Sequence, residues 1–168
     1  MILEIEILDE FDEFRAEVVM DRSLEQLVKT EARMREMHQD FQKAAGKDEK
    51  FKTFQKMFEI VISRWAGGEL PVEGIEPWPD FCTRVQKGLA QLTANGSRGQ
   101  RIVIFTSGGP VGIAMQRALD LSTPATLRSA WMVRNCAYNE FLFSGDRFTL
   151  GSYNSYPHLT DPEFLTYR

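Results

Sequence analysis

The chain has 168 residues, 43% of them hydrophobic, with 20 basic and 24 acidic residues and a net charge of −4. That length suits one domain with a sizeable core, and the charge balance carries no electrostatic footprint for nucleic acid. No apolar run reaches membrane-span length, and Glu4 and Glu6 interrupt the only N-terminal stretch that could mimic a signal peptide, so a cytoplasmic protein bound to no membrane is the expectation.

Leu3, Ile5 and Ile7 alternate with Glu4 and Glu6, the pattern of a half-buried or edge strand. Residues 8–14, LDEFDEF, form a short acidic connection. Ser23 and Gln26 read as a capping box opening a helix that Gly46 ends, with Leu27, Met34, Met37, Phe41 and Ala44 along one stripe. A second helix starts near Asp48, carries Phe51, Phe54, Phe58, Val61 and Trp65 on one face, and stops at Gly67-Gly68. The two form a helical hairpin whose Met and aromatic stripes read as core packing.

Three prolines and a glycine make residues 69–79 a loop. A third helix is predicted over 79–94, with Phe81, Val85, Leu89 and Leu92 inward and Asn95-Gly96 closing it. Residues 102–105, Ile-Val-Ile-Phe, read as a strand covered on both faces. A helix follows from Pro110 to about Leu119, and a short one starts with Thr123 as cap and Pro124 first inside. Residues 138–143 and 147–150 flank Ser144-Gly145-Asp146 as a hairpin, and the tail from Tyr153 is irregular. Cys82, on a helix, and Cys136, on a strand, are expected to be reduced core thiols. With His38 and His158 as the only histidines, there is no metal-ligand spacing, and neither metal nor cofactor is expected.

The chemistry concentrates in Thr106-Ser107-Gly108-Gly109-Pro110. Strand, glycine turn and helix is how α/β folds gather backbone N–H groups around an anion, and a hydroxyl at the strand's end stands where such folds keep their reactive groups. The bland alternative is a plain strand-to-helix connection. This stretch resembles the second signature of the histidine phosphatase superfamily, the phosphoglycerate mutase-like proteins, in which Ser-His-Gly-Gly ends a strand. Asn135-Cys136-Ala137-Tyr138 is similar to that family's later strand start, and Asn154 with His158-Leu159 to its terminal Asn…His-Leu. The resemblance runs from about Ile2 to Leu159 and is most specific from Glu76 onward.

The resemblance implies a single α/β domain over 1–168: a three-layer sandwich with a mixed, mostly parallel sheet, a C-terminal hairpin and a helical-hairpin insertion. It also implies a reaction in which an Arg-His-Gly histidine is phosphorylated, arginines and a second histidine hold the phosphoryl oxygens, and a carboxylic acid protonates the leaving oxygen. Glu10, in Leu8-Asp9-Glu10, matches the position of that acid, against a plain reading as one solvated carboxylate among Asp9, Asp12 and Glu13. Ser107 stands in the second histidine's place, with Gly108 and Gly109 as the phosphate cradle. Glu76 matches a Gly-Glu-Ser position and is expected to stabilise a helix start, and Arg84 to serve structure.

The chain contains no Arg-His-Gly, and neither His38 nor His158 sits in a nucleophile's strand-end context. The family's first strand, first helix and first arginines have no counterpart, and a start upstream of Met1 is the favoured explanation, over a second chain or a smaller closed sheet. Without a first strand, the 102–105 strand would carry an unpaired, aggregation-prone edge. A serine hydroxyl donates one hydrogen bond but no positive charge, and loss of one such donor commonly costs a hundredfold or more in rate.

Four readings follow. The leading one is a degenerate phosphatase- or mutase-like protein that binds a phosphorylated small molecule or phosphate anion with little or no turnover. The alternatives are an active enzyme whose nucleophile segment lies outside this chain, an interaction module using the helical hairpin 23–65 as a homo-oligomer or partner interface, and a serine hydrolase at Ser107. The last lacks the elbow's first glycine, because Phe105 takes its place.

Overall fold

The computed structural model describes residues 5–94 and 99–167. Two compact units emerge, one over 14–80 and the other over 5–13 with 81–167. The end of the third predicted helix at Asn95-Gly96, and Leu3 of the first predicted strand, lie outside the described residues.

In the 14–80 unit, α1 is Ala16–Thr30, α2 is Ala32–Lys43 and α3 is Lys47–Ala66. The single predicted helix over 23–45 is thus two helices, and it begins seven residues earlier than Ser23. Ser23 lies buried within α1 beside the apolar positions Val19, Met20 and Leu27, so it caps nothing and the capping box with Gln26 does not form. The break falls at Glu31, whose extended backbone ends α1 and opens α2. Arg35 stabilises that break. Its Nε donates to Val28 O at 3.2 Å and its Nη2 to Lys29 O at 2.9 Å, satisfying carbonyls that the end of α1 leaves open. Arg64 on α3 pairs with the Glu31 carboxylate at the same junction.

The α2–α3 hairpin forms as read, but its aromatic stripe is buried only toward the C-terminal end of α3. Met57, Val61, Ile62, Trp65 and Ala66 are buried, whereas Phe51 and Phe54 stay exposed. Phe14 stacks on Trp65 with centroids 4.8 Å apart, and Trp78 meets Trp65 edge-on at 5.7 Å. These three buried rings anchor the unit.

Helix α4, Trp78–Ala94, leads into the other unit, followed by α5, Gly108–Leu119, and α6, Thr123–Trp131. The α6 start agrees with the reading to one residue: Ser122 is the cap, and a proline sits in the first turn. Helix α6 approaches α5 closely at Gly112, where a Cβ would lie 2.9 Å from Ala130 Cβ. Strands β1, Tyr138–Ser144, and β2, Arg147–Ser155, pair antiparallel around a turn whose Gly145 adopts φ +56°, so the predicted hairpin forms with β2 five residues longer. Its second strand packs on α5, with Arg117 over the Phe148 ring at 4.8 Å. The Tyr153 hydroxyl donates to Ser129 O at the end of α6.

The chain is therefore α/β, with its one sheet among the described residues a two-stranded antiparallel hairpin. The segment 102–105 corrects the sequence reading. It forms no ladder, and Val103 and Phe105 are 77% and 95% exposed rather than buried. Ile5 and Ile7 are likewise 92% and 88% exposed and unpaired. β-Branched residues favour extended backbone, but a strand needs a neighbour to accept its hydrogen bonds, and none of the described segments supplies one here. Cys136 is a second correction: it lies exposed in a turn at φ +60°, not on a strand and not in the core, and Cys82 and Cys136 form no disulfide.

Candidate functional site

Ser107 has extended backbone at φ −100° and stands as the cap residue of α5. Its hydroxyl makes no capping hydrogen bond, so it is not spent on closing the helix. Gly108, Gly109 and Pro110 form the first turn and are buried. A proline there has no N–H to leave unsatisfied, and the free N–H groups and dipole give this end partial positive charge.

A carboxylate already sits on that end. Gly109 N–H donates to Glu13 Oε2 at 2.8 Å. The contact requires glycine, because a Cβ at position 109 would lie 2.8 Å from Glu13 Cδ and overlap its oxygens. The segment bearing Glu13 is pinned to the same place. Thr106 Oγ1 donates to Phe11 O at 2.6 Å. Arg84 Nη1 donates to Asp9 O at 2.6 Å and to Asp12 O at 3.2 Å.

Residues 9–11 form a 3₁₀ turn, and Phe11 is buried. Behind it α4 offers Gly88, where a Cβ would fall 2.7 Å from Glu10 Cβ and 3.0 Å from the Phe11 ring, so the turn lies against bare helix backbone.

The structure thus brings the acidic 9–13 segment to the Ser107-Gly108-Gly109 turn, joining two regions some 95 residues apart in sequence. Within that segment, the residue on the helix start is Glu13. Glu10 instead points its carboxylate toward Lys87 Nζ, 3.9 Å away. Glu13 went unmarked in the sequence because nothing in LDEFDEF distinguishes one acid from the next; only the 3₁₀ turn decides which of them faces α5.

Other singled-out residues lie elsewhere. Arg84 braces main-chain carbonyls, the structural role read for it. Glu76 precedes the start of α4 by two residues. His38 is on α2, and His158 stacks on Tyr138 with centroids 6.0 Å apart. Asn154, at φ +54°, ties the hairpin to the segment after α6: its Nδ2 donates to Met132 O and its Oδ1 accepts from Arg134 N–H, both at 2.8 Å. Arg134 packs over Tyr156 at 4.2 Å and donates to the Tyr167 hydroxyl. Those contacts hold its guanidinium even more firmly protonated than usual, the Tyr167 hydrogen bond contributing most.

An open groove between α4 and α5 is lined by Gln86, Lys87, Gln116 and Arg117. It lies at the C-terminal end of α5, about 14 Å along the helix from Ser107 at 1.5 Å per residue, where the dipole disfavours anions. Among the described residues no cluster of His, Cys, Asp and Glu could hold a metal, and no helix is long and apolar enough to cross a membrane.

The family model described as the histidine phosphatase superfamily (branch 1) matches residues 3–156. No curated protein and no solved structure matches the chain.

Proposed function

The chain belongs to the histidine phosphatase superfamily, and from that membership we propose that this protein binds a phosphate ester at Ser107-Gly108-Gly109 and turns it over slowly or not at all. The observation that carries this reading is the start of α5: a buried Gly-Gly-Pro turn with a carboxylate held on the Gly109 N–H, beneath a serine hydroxyl that caps nothing. An oxyanion that reaches this N–H finds a donor aimed at it, and a phosphate oxygen has the same needs as a carboxylate oxygen. Ser107 contributes a hydrogen bond to the phosphate; Glu10, to which the family resemblance assigns the acid, delivers a proton to a leaving oxygen only if its carboxylate turns from Lys87 toward the α5 start. Neither replaces a nucleophilic histidine, which the chain lacks.

The direct test is titration of the labelled protein with inorganic phosphate and with a phosphate monoester, following the amides of residues 107–112. Saturable shifts confined to that turn are expected, with monoester hydrolysis at or near background. No shift at millimolar ligand sinks the reading, and hydrolysis that survives Ser107→Ala and Glu10→Gln places the chemistry elsewhere.

A second reading is favoured by one observation. Ile5, Ile7, Val103 and Phe105 face solvent on extended, unpaired backbone. A further strand between or beside these segments would bury them and build the mostly parallel, three-layer arrangement the family resemblance implies, in one domain. If such a strand also carried Arg-His-Gly, the protein would be an active phosphatase or mutase, and Ser107→His should then raise its rate. The same exposed segments are where self-association into a homo-oligomer would begin.

A further inference from the structure

The chain's lysines are unevenly placed. Five of its seven, Lys43, Lys47, Lys50, Lys52 and Lys56, fall within residues 43–56, a stretch with no arginine and with Asp48 and Glu49 as its only acids. The stretch is thus net +3 in a chain of net −4. It joins α2 to α3 and forms the first half of α3, and all five lysines are exposed. We propose that this tip of the α2–α3 hairpin is a docking surface for an anionic lipid bilayer, with Phe51 and Phe54 among the headgroups and the lysines around them facing lipid phosphates and carboxylates.

The apolar face of α3 supplies the first support, because it runs on past the part that the helical unit covers. Met57, Val61, Ile62 and Trp65 are buried, whereas Phe51 and Phe54 are 58% and 40% exposed. Phe54 lies 6.1 Å from Phe58 and 6.3 Å from Phe41, centroid to centroid, so the aromatic patch spans both helices of the tip. Lys47 and Lys50 stand one turn before Phe51 and Phe54 on the same side of α3. Such lysines lay their stems along apolar surface and lift the ammonium groups to headgroup level, the arrangement of a helix lying in a membrane interface.

The lysines are also unpaired. Among the described residues none of these five ammonium groups has an ion pair or side-chain hydrogen bond, whereas Lys29 pairs with Glu25 and Lys87 lies 3.9 Å from Glu10. Their residue type favours lipid over a protein partner. Specific contacts in this chain are made by arginines: Arg35 and Arg84 on backbone carbonyls, Arg64 on Glu31. The planar guanidinium fork suits fixed acceptors, while lysine is a mobile point charge that suits a diffuse anionic surface. Among the described residues no helix is long and apolar enough to cross a membrane, and attachment to a bilayer's surface requires none.

The test mixes the full chain with vesicles of phosphatidylcholine alone and of an equimolar mixture with phosphatidylserine, and reads the bound fraction by sedimentation as salt is raised. Binding to the phosphatidylserine vesicles only is expected, weakening with salt. Lys47→Gln combined with Lys50→Gln should weaken it roughly tenfold or more, and Phe51→Ser roughly tenfold. Lys29→Gln, on α1 and outside the patch, should leave it unchanged. Should Phe51→Ser lose the native circular dichroism, the lysine pair alone decides. No binding to either vesicle, equal binding to both, or binding that survives the lysine substitutions would overturn the proposal. Binding to polyglutamate but not to phosphatidylserine would overturn it too, and assign the patch to an acidic protein surface.

Discussion

The two units treat equally apolar segments in opposite ways. In the 14–80 unit, Phe14, Trp65 and Trp78 meet ring to ring and are buried. In the other, Ile5, Ile7, Val103 and Phe105 stand in solvent. A helix satisfies its own backbone and needs only side-chain contact to be stable, so α1 to α3 can be complete by themselves. An extended segment needs a neighbouring backbone before its side chains gain anything. The difference is one of self-sufficiency in hydrogen bonding, not of hydrophobicity.

That comparison can be broken most sharply by truncating one ring from each unit. Trp65→Ala should cost about 3–5 kcal/mol, the usual price of removing a large buried aromatic, read as a fall in the urea midpoint. Phe105→Ser should change stability by less than about 0.5 kcal/mol, as for an exposed position. It should also reduce self-association by light scattering at high concentration. If Phe105→Ser were as damaging as Trp65→Ala, residues 102–105 would be packed in solution and the contrast would fail.

A smaller effect sharpens the picture of the α5 unit. Gly112→Ala places a methyl 2.9 Å from Ala130 Cβ and 3.2 Å from Thr126 O, and backbone cannot give way as a side-chain tip can. Overpacking of this kind costs about 1–3 kcal/mol, and it should be read in melting temperature with phosphate both absent and present. Equal stability would mean that α5 and α6 are less tightly joined than the Gly112–Ala130 approach indicates.

Smaller again is Tyr153→Phe. The hydroxyl donates to Ser129 O, and burial holds its pKa above the ordinary phenol value. Losing the bond should cost about 1 kcal/mol at neutral pH. The shift is upward, so the phenol's contribution is fully present below the ordinary tyrosine pKa and is lost as pH rises through the raised one. The parent should therefore lose stability in strong alkali, and the phenylalanine variant should lack that component.

Legibility followed the same division. Helices α3 to α6 and the β1–β2 turn were readable because their signals are local: glycine stops, a proline in a first turn, a Gly-Asp turn between alternating residues. The α1–α2 break was not, because Glu31 is an ordinary helix former and the break is held by Arg35 and Arg64, which lie beyond it in sequence. The 102–105 segment carried the strongest strand signal in the chain, yet pairing is a property of two segments and no sequence window contains both. At the candidate site, Ser107, Gly108 and Gly109 were legible as a turn. That Glu13 rather than Glu10 reaches them depends on a 3₁₀ turn packed over Gly88, a non-local cause.

The gentlest probe acts on the junction that sequence could not show. Arg64 hydrogen-bonds to Glu31 and holds its carboxyl below the usual carboxylate range, outweighing the partial burial that pushes the other way. A lowered folded-state pKa means that the pair's contribution is present above the ordinary glutamate value and disappears as pH falls through the folded one. Both side chains are about one-third exposed, so solvent and salt screen the pair, and its effect should be the smallest of those considered. Glu31→Gln should therefore lower the stability of the helical unit slightly at neutral pH and leave it equal to the parent in strong acid, with the difference shrinking as salt is added. A variant defect that persists undiminished in acid would mean that Glu31 acts through the backbone geometry of the α1–α2 break, where it ends one helix and begins the next, rather than through its charge.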